Sequence, residues 1–123
     1  MADRTLAGCR ILIVEDEFLL ADDLSEELAT AGAIVLGPTP DVAEALALIG
    51  DENRLDGAVL DVNLGGEPSY PVADELTRRG IPFVFTTGYD PNVMPEIYRN
   101  IARCQKPVRV TAIRDAIGRV IHM

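Results

Sequence analysis

Short apolar runs alternate with amphipathic stretches from one end of the chain to the other. Residues 10–14 form a β-branched run too short for a helix, which reads as a buried strand. Residues 18–31 place Leu20, Leu24 and Leu28 four apart on one helical face, with acids opposite. Gly32 closes that helix in the position where glycine commonly follows a helix end. Residues 33–36 read as a second strand ended by Gly37-Pro38. Asp41 is a suitable cap for a helix over 42–49. Residues 57–60 read as a third strand running into Asp61. The stretch 65–71, rich in Gly, Pro and Ser, reads as a loop. A short helix over 72–79 stops at Gly80, and 82–86 reads as a fourth strand. A weak helix is expected within 91–100, with Pro95 limiting its start. Residues 101–105 make a poor fifth strand, and 109–121 a final helix with Ile113, Ile117 and Val120 inward.

Strand and helix thus alternate five times. Parallel strands need crossovers, and right-handed crossovers cover both faces of the sheet with helices. The expected fold is α/β, a doubly wound parallel five-stranded sheet. In such sheets a ligand sits at the carboxyl ends of the strands, where the strand order reverses. Glu15, Asp16, Asp61, Thr87 and Lys106 all fall at predicted strand carboxyl ends, so the fold would gather what the chain scatters.

Composition narrows the function classes. The chain has 123 residues, is 48% hydrophobic and 25% charged, and suits one globular domain with one core. Its net charge of −9 argues against general binding to nucleic acid or anionic membrane. No apolar stretch approaches a bilayer span and no signal core follows the N-terminus, so a cytoplasmic location is expected. Cys9 and Cys104 have no metal-ligand spacing and are expected as reduced thiols rather than a disulfide.

Lys106 is the single lysine, and every other cation in the chain is arginine. Magnesium prefers oxygen ligands and is commonly held by one or two carboxylates plus phosphate oxygens. Glu15, Asp16 and Asp61 would supply those carboxylates, and their crowding favours a bound divalent cation. An aspartate can also act as the nucleophile in phosphoryl transfer, where the protein mostly positions groups and neutralises charge. Asp61, alone at the middle strand, suits that role. Lys106 would neutralise one phosphoryl oxygen, and the Thr87 hydroxyl with nearby backbone amides would bind another. Gly88 would let the backbone approach closely. Each residue also has a plainer use: 15–17 as helix caps, Asp61 and Thr87-Gly88 as turns, Lys106 as a solvated cation. Their common position at the strand ends favours the functional use.

These motifs, Ile-Leu-Ile-Val-Glu-Asp-Glu, Val-Leu-Asp-Val-Asn-Leu, Ile-Pro-Phe-Val-Phe-Thr-Thr-Gly-Tyr and Gln-Lys-Pro-Val, resemble those of response-regulator receiver domains of two-component signalling. The resemblance covers nearly the whole chain. It implies a flavodoxin-like (βα)5 fold with strand order 2-1-3-4-5. It implies Asp61 as phosphoacceptor, Asp16 as a direct Mg2+ ligand, Glu15 as a ligand mostly through water, and the Asn63 carbonyl as a further ligand. Thr87 becomes the switch hydroxyl and Lys106 the phosphate-binding lysine, with Pro107 shaping its geometry. The expected function is a stand-alone receiver over 1–123 without output domain, phosphorylated by a sensor histidine kinase or phosphotransfer protein. It would signal to a downstream protein or act as a relay or sink. It would catalyse only its own phosphorylation and dephosphorylation.

Two positions depart from the family pattern. Receivers usually place Tyr or Phe three residues before the lysine, where this chain has Arg103. Phe-Thr-Thr-Gly-Tyr resembles a subgroup, frequent in alphaproteobacteria, that lacks this aromatic, and Tyr89 is the candidate to supply part of the signal. Gly65 stands where many receivers have proline, which predicts a more mobile acceptor loop.

Three rivals remain on the residues. A degenerate receiver would bind partners without phosphorylation. A haloacid-dehalogenase-like phosphatase would need an acid where Asn63 stands. A flavodoxin-like cofactor domain would need a phosphate-cradling loop where Glu15 and Asp16 stand. A homodimer through the final helix is the other use of Ile113, Ile117, Val120 and Ile121, for which core packing is the favoured reading.

Overall fold

The computed structural model describes residues 6–52, 54–88 and 94–122. Five parallel strands form the sheet: β1 (Arg10–Val14), β2 (Ile34–Thr39), β3 (Gly57–Asp61), β6 (Phe83–Thr87) and β7 (Arg103–Gln105). Their order is β2-β1-β3-β6-β7, the doubly wound order expected once a small hairpin is set aside. That hairpin, β4 (Asn63–Leu64) and β5 (Glu67–Pro68), is antiparallel and follows β3 directly. The helices are α1 (Phe18–Thr30), α2 (Val42–Asp51), α3 (Tyr70–Arg78) and α4 (Val110–Ile121).

Central strands of a parallel sheet are covered on both faces and read as continuous apolar runs. β3 and β6 are buried along their whole length, and β1 along all but Arg10. Alternate residues feed two separate cores. Leu12, Val14, Ala58, Leu60, Phe83 and Phe85 meet α2 and α3 on one face. Ile11, Ile13, Val59 and Val84 meet Leu24 and Leu28 of α1 and Ile113 and Ile117 of α4 on the other. Val120 and Ile121 pack half-buried against this second core, so the apolar stripe of α4 is spent inside the chain. Among the described residues no helix is long and apolar enough to cross a membrane.

The structure departs from the expected elements at four places. β2 does not stop at Gly37-Pro38 but continues to Thr39, with a register irregularity between Leu12 and Val14 of β1. It is an edge strand, where a proline costs no ladder bond, and Gly37 adopts φ +86° to carry the irregularity. The stretch expected as a loop holds β5 and the turn that joins it to β4. Gly65 (φ +60°) and Gly66 (φ +94°) form its two-residue turn, the backbone that a tight hairpin demands. α3 starts at Tyr70 rather than 72, because Pro71 is tolerated in a first turn. Of the helix expected within 91–100, the described part is a 3-10 turn, Glu96–Tyr98.

That turn is fastened to α3 by aromatic contact. Tyr98 stacks on Tyr70 with ring centroids 4.4 Å apart and planes 5° from parallel. Both rings meet the edge or face of Phe85, at 6.2 and 6.3 Å. The Tyr98 hydroxyl donates to Asp74 Oδ1 at 2.7 Å.

Candidate functional site

The carboxyl ends of β1, β3, β6 and β7 open onto a cleft of about 270 Å3, lined by Asp16, Glu17, Asp61, Asn63, Gly65, Thr87, Gly88 and Lys106. Sheet register explains the gathering. Val14 pairs with Leu60, Asp61 with Thr86, and Thr87 with Gln105, so the strands end at one level. The acids of 15–16 and Lys106 lie one or two residues beyond their strands.

Lys106 is the hub. Its Nζ lies 2.8 Å from Asp61 Oδ2, 3.2 Å from Glu15 Oε1 and 3.2 Å from Glu17 Oε2. Burial alone would lower its pKa, but the hydrogen bond and charge of Asp61, with those of Glu15, hold it above the usual lysine value. Glu15 is raised as well, which for a carboxylate disfavours the charged form. Burial pushes it up to about 8, and the neighbouring Asp61 carboxylate adds to the rise, against the Glu17 amide and Lys106. A site that makes an acid this reluctant to ionise is short of positive charge.

Carboxylate oxygens of Glu15, Asp16 and Asp61 lie within 4.8 Å of one another, with Asp16 exposed and the other two buried. Clustered hard oxygen donors, one facing solvent, fit Mg2+. Asn63 stands at the start of β4. Its amide donates to Asp61 Oδ1 at 3.1 Å, and its side-chain oxygen accepts from the Gly66 amide at 2.8 Å.

Thr87 is buried at the end of β6, and its carbonyl accepts from the Lys106 amide at 2.7 Å. The Lys106–Pro107 peptide is cis. Gly88 borders the cleft, but a Cβ there would meet nothing within 4 Å, so the close approach expected of it is not required by the chain itself. Arg103 turns away from the cleft and donates to the Arg99 carbonyl at 2.9 Å. Tyr89 lies outside the described residues.

Three site residues were not singled out by sequence reasoning. Glu17 reads as a cap in the sequence, yet its side chain makes no capping bond and reaches Lys106 instead. The third acid of the Glu-Asp-Glu run was the available signal. Ser69 is fully buried, and its hydroxyl donates to the Asp61 carbonyl while its amide donates to that of Val62. This pins the hairpin under the acceptor strand. Thr86, paired with Asp61 across the sheet, holds the one buried side-chain polar atom among the described residues with no hydrogen-bond partner. Nothing in the sequence marks either of the last two.

This geometry has known counterparts. The structure of SdrG from Sphingomonas melonis Fr1 is similar at 38% identity, with 94% of this chain and 98% of that one covered and a TM-score of 0.76. The chain belongs to the response-regulator receiver family. The non-phosphorylated HemR receiver domain from Leptospira biflexa is similar at 26% identity over 94% of this receiver and 96% of that chain, with a TM-score of 0.79. The uncharacterized transcriptional regulatory protein YbdJ of Bacillus subtilis is 35% identical over 82 residues. Those residues are 65% of this receiver and 35% of YbdJ, so the receiver spans about a third of that relative's length. No family model matches the receiver. Membership in this family supports a role in two-component signalling.

Proposed function

We propose that this receiver takes a phosphoryl group onto Asp61 from a sensor histidine kinase or a phosphotransfer protein, with Mg2+ as cofactor. The observation that carries the reading is the single lysine placed 2.8 Å from Asp61, within a cluster of acids otherwise short of positive charge. An Asp61 oxygen attacks phosphorus as the P–N bond to the donor imidazole breaks, and the released imidazole nitrogen takes up a proton. Lys106 follows the charge from the carboxylate to a phosphoryl oxygen. The Thr87 hydroxyl, buried at the end of β6, serves a second phosphoryl oxygen. Hydrolysis reverses the modification, with water attacking phosphorus and Asp61 leaving as carboxylate. Mg2+, when bound through Glu15, Asp16, Asp61 and the Asn63 carbonyl, neutralises the charge that builds on the phosphoryl oxygens.

A protein donor is favoured by the surface beside the cleft. Phe18 and Leu19 open α1 at 80% and 77% exposed, immediately after the acids. Two adjacent large apolar side chains left in water suit a docking contact. The reading includes a cytoplasmic receiver that acts on a downstream protein by contact and catalyses only its own phosphorylation and dephosphorylation. The solution structure of SdrG in a BeF3-activated conformation supports it, since that relative is 39% identical over 98% of this chain.

The test is intact mass after incubation with acetyl phosphate, with and without Mg2+. One Mg2+-dependent phosphoryl adduct, lost in Asp61→Asn, is expected. No adduct from either a small donor or a kinase would end the reading and leave a receiver that binds partners without phosphorylation.

A further inference from the structure

An ammonium group has three N–H donors. In this structure three carboxylates surround it: Asp61 at 2.8 Å and Glu15 at 3.3 Å accept its hydrogen bonds, and Glu17 pairs with it at 3.2 Å. Phosphorylation moves the Asp61 contact to a phosphoryl oxygen and adds negative charge there, so the hold of the ammonium on the other carboxylates loosens. They differ in what release would cost. The side chains of Glu15 and Asp61 are 3% and 7% exposed, whereas that of Glu17 is 59% exposed. A buried carboxylate that loses its partner pays for desolvation without compensation, but an exposed one is simply rehydrated.

We propose that Glu17 is a positioning residue that pairs with the outer side of Lys106 until a phosphoryl oxygen displaces it. This rests on the phosphoacceptor reading of Asp61 and adds a fourth acid to that site. Glu17 then acts against the modified state twice. Its ion pair with Lys106 is given up, and its carboxylate is left at the rim of the same cleft as a dianionic phosphoryl group. The residue sets how readily the site charges, while touching neither phosphorus nor the attacking oxygen.

The experiment compares the rate of Mg2+-dependent adduct formation from acetyl phosphate in wild type, Glu17→Gln, Glu17→Asp and Glu26→Gln. Glu17 makes no side-chain capping bond, so its variants keep α1. Glu26 is exposed on the same helix and tests the charge change alone. Glu17→Gln should form adduct about two- to five-fold faster at low ionic strength, the range of an exposed ion pair. The gain should shrink at high salt, as screening predicts. Glu17→Asp, charged but shorter, should fall between wild type and Glu17→Gln, and Glu26→Gln should match wild type. An unchanged or slower Glu17→Gln, an equal gain in Glu26→Gln, or a gain indifferent to salt overturns the proposal while leaving Asp61 as acceptor. Should wild type charge only from a kinase, the same four proteins are compared with that donor, and absence of adduct from both donors overturns both readings together.

Discussion

Replacing Glu15 with glutamine should make the metal-free protein more stable, and increasingly so as pH rises. Glu15 sits buried against Asp61, and its carboxyl is pushed up to about 8 from an ordinary value of 4.5. Between those two values the folded chain holds a proton that the unfolded chain has released. Stability then falls as pH increases, by about 1.4 kcal/mol per pH unit for one proton. From about pH 5.5 to about pH 8 the loss is roughly 3 kcal/mol. Below about pH 4 both states are largely protonated, and glutamine, nearly the same shape, should change little. The assay is urea unfolding in EDTA for wild type and Glu15→Gln across that range, comparing midpoints at constant m-value. The difference between the two curves reports Glu15 together with the Asp61 and Lys106 groups it contacts, and cancels the rest. Adding Mg2+ at the alkaline end should restore wild type more than the variant, because a bound cation supplies the missing positive charge. Parallel stability profiles would refute the reasoning. They would mean that Lys106 already compensates both buried acids.

Ser69→Ala removes the hydroxyl that donates to the buried Asp61 carbonyl, and should cost about 1–2 kcal/mol in urea unfolding. It should also speed amide exchange across 63–68 and slow adduct formation on Asp61, and unchanged exchange would show the hairpin is held by other means. Gly37→Ala should destabilise by about 2 kcal/mol or more in thermal or urea unfolding. At φ +86° a Cβ would lie 2.8 Å from both the Ile13 carbonyl oxygen and the Thr39 amide nitrogen, two backbone atoms that cannot turn aside.

What the sequence disclosed, and what it withheld, follows from the range of the interactions. β1, β3 and β6 were legible because burial on both faces forces continuous apolar runs, and the site acids and Lys106 because they interrupt such runs at their ends. The course of β2 past Gly37-Pro38 was hidden, since proline is a stop signal everywhere except at an edge. The β4–β5 hairpin was hidden because it has only two residues per strand, and its anchor is the long-range Ser69 hydroxyl bond rather than any local pattern. Glu17 was read as a cap because its partner, Lys106, lies far away in sequence. The unpartnered Thr86 hydroxyl has no local signature at all, since a buried threonine in a strand usually bonds or packs without notice.

The stacked Tyr70 and Tyr98 give the protein an optical reporter of its own. The chain has no tryptophan, so its near-ultraviolet signal belongs to three tyrosines, two of them held nearly parallel at 4.4 Å. Rings in that arrangement couple their transitions, and the resulting circular dichroism depends on their spacing. Burial and the bond to Asp74 also push the Tyr98 hydroxyl up to about 12. A phenolate band that emerges at milder alkalinity and is missing from Tyr98→Phe would therefore mark the moment Tyr98 lets go of α3. Any movement of the 96–98 turn on charging of the acceptor can be followed in an ordinary cuvette, without dye or label.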